Sequence, residues 1–134
     1  MGLDMYAWSI TDPNRTFPET DPVFHEPTSG EDVPGLNRQE FFYWRKHPNL
    51  HGWFKQLYVA KGGEDPHFNC NKVEITLEDL DALEAVLTKL PGTSGFFFGT
   101  STPEDDKRTS DFIILAREFL INNPTSRLYY DSWW

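Results

Sequence analysis

The stretch YWRKHPNLHGWF at positions 43–54 decides how this chain is read. It sets four aromatic rings, two histidines, an arginine and a lysine in one helix-sized window. The window is either a catalytic or binding cluster, or the amphipathic helix around which a small core is built. Asn37 is a suitable N-cap with Glu40 three residues on, and a helical pattern runs to about Ala60, where Lys61-Gly62-Gly63 stops it. Pro48 interrupts the run, so either the helix kinks there or a second helix begins, with His47 near the N-cap and Pro48 at the first helical position. Wound at about 100° per residue, Tyr43, Leu50, Trp53, Phe54 and Leu57 form one apolar side. Trp44, His51, Lys55 and Tyr58 form another, with His47 between the two.

That second side carries the candidate chemistry. An imidazole among cations titrates lower than a free one. His51, with Arg45 and Lys46, is therefore the candidate general base with an anion clamp. The plainer alternative is a histidine packed at the core edge and bonded to a backbone carbonyl or a carboxylate.

Outward from this window, residues 3–10 alternate as a strand, with Leu3, Met5, Ala7 and Ser9 on one face and Tyr6, Trp8 and Ile10 on the other. Two apolar faces predict a central place in a sheet. Residues 11–36 carry five of the ten prolines with many acidic residues, which predicts a long irregular loop. Val73 and Ile75 alternate as a strand. Thr76 with Asp79 starts a helix along Leu77, Leu80, Leu83, Val86, Leu87 and Leu90, which Pro91-Gly92 ends. The apolar GFFFG at 95–99 predicts a buried strand. Thr102-Pro103-Glu104-Asp105 opens a third helix whose core side is Phe112, Leu115, Ala116, Phe119 and Leu120, and residues 127–134 make a last strand.

Short turns, aromatic strands and the lack of a Gly-rich phosphate loop after the first strand favour α+β over a doubly wound α/β sheet. The expectation is one compact domain spanning 1–134, with a small mixed or antiparallel sheet of about four strands packed with three helices.

Composition narrows function. With 12 basic and 21 acidic residues, the net charge of −9 argues against general nucleic-acid binding, which needs a basic footprint. It suits a self-repelling protein or one that meets a basic partner. A single cysteine, Cys70, excludes an internal disulfide and fits a reducing compartment. No segment reaches the roughly 20 apolar residues of a membrane span, and the first residues lack signal-peptide features. A cytoplasmic protein is expected.

Several words then converge: MGLDMY, YWRKHPNLHGWF, VEITLEDLDAL, GFFFG and YYDSWW. Together they resemble a family of small proteins of tailed bacteriophages and prophages, from one end of the chain to the other and most weakly in the Pro-rich stretch. The resemblance implies a phage protein in the host cytoplasm and supplies no mechanism. Some members carry the label phosphoglycerate kinase. That reaction is performed by a large two-lobed enzyme closing over two phosphorylated substrates, whereas this chain has room for about one domain and no recognisable nucleotide cradle.

The remaining constellations have plain structural readings. A zinc set of His47, His51, His67 and Cys70 is set aside, because Pro48 disrupts the helix aligning the first two and structural zinc sites typically use more than one cysteine. Gly99-Thr100-Ser101-Thr102 precedes a helix, where backbone N–H groups hold anions, but the acidic first turn makes helix capping the better account. Asp4, Asp131 and Glu74 converge if the terminal strands pair, with Arg45 or Arg127 as their ion-pair partners. The aromatic surplus suggests a ligand or partner face from Trp44, His51, Lys55, Asp131, Tyr130 and Trp133. Two functions follow: a binding module engaging a host protein through an acidic, aromatic-rich surface, or a small enzyme or ligand binder for an anionic metabolite or nucleotide using His51, Arg45 and Lys46. Neither calls for a cofactor.

Overall fold

The computed structural model describes residues 2–11, 37–69, 71–90, 92–93 and 98–134. Within them the chain runs β1 (Asp4–Thr11), β2 (Asn37–Arg45), α1 (Pro48–Ala60), β3 (Val73–Ile75), α2 (Leu77–Val86), a 3-10 turn (Leu87–Lys89), α3 (Pro103–Asn122) and β4 (Ser126–Trp133). The strands form one sheet in the order β2-β1-β4-β3, with every pair antiparallel. This is the expected α+β architecture, and β1 is central as its two apolar faces required.

Register arranges the inner face in rows. Phe42, Ala7, Tyr130 and Val73 lie side by side across the four strands, and Trp44, Met5 and Ser132 form the next row. The small Ala7 leaves room for the large rings on either side of it. α1 packs over β4, where the Phe54 ring stacks on Tyr130 at 4.0 Å and 11°. α3 packs over β2, where Phe112 meets Trp44 edge-on at 4.8 Å. Leu3, Met5, Leu50, Phe54, Phe68, Val73, Leu80 and Phe112 are fully buried in the layer between sheet and helices.

Residues 37–45 correct the sequence reading: they are a strand, not the start of a helix. Their period is hidden by a bulge opposite Ala7 and Trp8. Both Phe41 and Phe42 consequently reach Phe112 of α3, at 6.1 and 5.4 Å. A bulge adds one residue to one strand and breaks the two-residue alternation, so four consecutive aromatics pass for a helical stripe. Lys46 then adopts φ 55, a left-handed conformation that ends the strand, and its N–H donates to the Leu3 carbonyl at 2.8 Å. Pro48 neither kinks a helix nor separates two. It opens the one helix that follows, with His47 at the N-cap.

That helix is rotated slightly from the expected phase. Leu50, His51, Phe54 and Tyr58 are buried, while Trp53 and Leu57 are only half-buried. Gly52 is required here, because a Cβ at this position would run into the Thr93 side chain. α3 shows a similar offset: Thr109, Phe112, Ile113 and Ala116 are buried and Leu115 is exposed. Of GFFFG, residues 95–97 lie outside the described residues; Phe98 is buried and belongs to no strand. Residues 12–36 and Cys70 also lie outside them, and Thr11 is the last residue of β1.

α2 and α3 start as expected. Thr76 with Asp79 and Thr102 with Asp105 each form a reciprocal capping box. Thr102→Ala removes the side-chain acceptor for the Asp105 N–H, and the expected loss in urea unfolding is about 1 kcal/mol.

Candidate functional site

The sheet separates the candidate residues into two groups. The inner group lies at the start of α1. His51 sits one turn into the helix, is 1% exposed, and its Nδ1 lies 2.6 Å from the Tyr130 hydroxyl. Phe68 and Phe98 flank the imidazole, with ring centroids at 5.0 and 5.2 Å. Its Nε2 is buried and has no hydrogen-bond partner among the described residues. Burial, with a smaller contribution from Lys55, pushes the imidazole pKa down to about 4, and burial pushes the Tyr130 phenol well up. The pair is therefore uncharged at neutral pH.

His47, at the N-cap, is also fully buried. Its Nδ1 lies 2.7 Å from the Ser101 hydroxyl, which also accepts from the Asn49 N–H at 3.1 Å. Its Nε2 lies 3.6 Å from Asp106 Oδ1, near the start of α3. Burial lowers its pKa against the opposing pull of Asp105 and Asp106. Ser101 thus fastens the start of α1 to the start of α3, so the sequence before α3 serves as a structural joint.

The outer face of the sheet holds the second group. There Tyr43, Tyr6 and Asp131 form one row across β2, β1 and β4, and Arg45, Asp4 and Trp133 form the next. Tyr43 donates to Asp4 Oδ1 at 2.6 Å, which pushes the Tyr43 phenol up to about 12. Arg45 lies 3.7 Å from the same carboxylate. Tyr6 stacks on Trp8 at 5.5 Å and tilts against Tyr43 at 5.2 Å. Asp131 pairs with Lys72 at 3.7 Å. On β3, Glu74 pairs with Arg127 of β4 at 2.5 Å. Trp133 stands 65% exposed beside this array.

The expected ligand or partner set is thus divided. Trp44, His51 and Tyr130 are inside; Asp131 and Trp133 are on the outer face; Lys55 is exposed on α1. His51 and Arg45 do not meet, and Lys46 is exposed at the bend between β2 and α1. His67 is exposed, with its backbone N–H bonded to Asp65. Among the described residues no three His, Cys, Asp or Glu side chains gather as a metal-ligand group, and none of the helices is long and apolar enough to cross a membrane. Sequence reasoning missed Tyr6 and Tyr43 as neighbours of Trp133. The alternation of β1 placed Tyr6 on one face with Trp8, but only the strand character of β2 brings Tyr43 beside it.

Fold and site define a class: an α+β protein with helices on one face of a four-stranded antiparallel sheet and an aromatic, charge-studded array on the other. No protein-family model, no curated protein and no solved structure matches the chain.

Proposed function

We propose that the chain is a binding module of bacteriophage or prophage origin, acting in the host cytoplasm, that engages a host protein through the outer face of its sheet. The observation that carries this reading is Trp133, an indole 65% exposed on a strand whose inner residues are packed into the core. A large exposed ring beside Asp4 and Asp131 has the make-up of an interface anchor, since Trp, Tyr and Arg dominate the energetic centres of interfaces. The net charge of −9 favours a partner with a basic surface, through faster encounter as well as contact. The family resemblance supports the phage origin. The buried, uncharged His51–Tyr130 pair offers no group to a substrate at the surface, which leaves the enzyme reading with less support.

The test is capture of partners by the tagged protein from infected cells, followed by measurement of affinity for the purified partner. Trp133→Ala is expected to weaken that affinity by roughly 30-fold or more, as for a hot-spot residue of about 2 kcal/mol, with unfolding unchanged. Equal binding by wild type and variant would remove this face from consideration.

A further inference from the structure

We infer that the first turn of α1 is an acid-sensitive latch, in which protonation of His47 and His51 parts the turn from Ser101 and Tyr130 and opens the aromatic core beneath it. The geometry rests on two fully buried imidazoles, four residues apart, on the same turn. Each uses Nδ1 to hold the turn to another element: His51 to the Tyr130 hydroxyl on β4, and His47 to Ser101 ahead of α3. Among the described residues, neither buried Nε2 has a hydrogen-bond partner. An imidazolium needs acceptors at both nitrogens, and among the described residues the second proton on His51 finds none.

The groups facing His51 do little to receive a charge. Tyr130 comes from β4, Phe68 and Phe98 contribute rings, and Lys55 on its own helix repels. The positive end of the α1 dipole adds to the repulsion. His47 faces Ser101 and, from α3, Asp105 and Asp106, whose carboxylates favour its charged form and partly offset its burial. His51 is therefore the main trigger and His47 the weaker one.

The sign is fixed by the order of proton uptake. The unfolded imidazole titrates at 6.5 and the folded His51 at about 4, so the unfolded or opened chain binds the proton first. Stability is fully present above pH 6.5 and is lost as pH falls toward 4. At pH 5.0 this one residue shifts the opening equilibrium by about 30-fold relative to pH 7.5.

The test is amide hydrogen exchange between pH 7.5 and 5.0, corrected for intrinsic rates, on wild type and His51→Gln. In wild type, the amides of residues 49–52 should open by more than tenfold across that range, ahead of residues 110–116 of α3. In His51→Gln most of that increase should vanish. An opening rate that does not change with pH, or one that changes equally in the variant, would overturn the proposal. Should the variant fail to fold, the imidazole resonances of wild type decide: a His51 that titrates near 6.5 with the fold intact also overturns it.

Discussion

Phe54→Ala should destabilise the protein by about 4 kcal/mol, measured as a fall in the urea midpoint at unchanged slope. Phe54 is fully buried in the middle of α1, stacked on Tyr130 and edge-on to Trp53 at 5.1 Å. Truncation to alanine loses the transfer energy of the ring and leaves a void between α1 and β4. A domain's total stability is about 5–15 kcal/mol, so this one change removes a large fraction of it. Phe54→Leu keeps most of the volume and should cost less than about 1.5 kcal/mol. A loss under 1 kcal/mol for the alanine variant would mean that α1 does not pack against β4 as described.

Arg127→Met should cost about 3 kcal/mol at pH 7.5, because it leaves the Glu74 carboxylate unpaired. The pair is mostly enclosed, with 17% and 13% of the two side chains exposed. Arg127 also reaches the second Glu74 oxygen through Nη2 at 3.3 Å. Burial raises the Glu74 pKa, and Arg127 and Lys61 pull it down. A carboxyl raised on folding favours the folded state when protonated, and that contribution is lost as pH rises through the raised value. Removing Arg127 raises the carboxyl further, so the variant should lose less, relative to wild type, at pH 5 than at pH 8. Adding Glu74→Gln should recover most of the loss at neutral pH, since the penalty lies in the abandoned charge. A double variant as unstable as Arg127→Met alone would count against this account.

α2 and α3 begin where their local chemistry says they do. Thr76 with Asp79, and Thr102 and Pro103 with Asp105, could be recognised from spacing alone, because a cap bonds to backbone groups within three residues. The alternation of β1 was equally legible, down to which side chains share a face. β2 was not. Its pairing partner lies about thirty residues away, and a bulge hides the only periodicity that could have revealed it.

The same limit governed the site. From sequence, Trp44, Arg45 and His51 looked like one surface, on the assumption of a continuous helix. In the fold a strand ends at Arg45, the backbone turns at Lys46, and a helix starts at Pro48. Arg45 consequently points to the outer face while Trp44 and His51 point into the core. The amino-acid order by itself determined the α+β class, the caps of α2 and α3 and the faces of the first strand, since all of these rest on hydrogen bonds and periods a few residues long. Only the tertiary structure decided that Tyr6, Tyr43 and Trp133 share a face and that His51 meets Tyr130. Those neighbours are set by strand register across distant segments, where shifting one residue moves a side chain to the opposite side of the sheet.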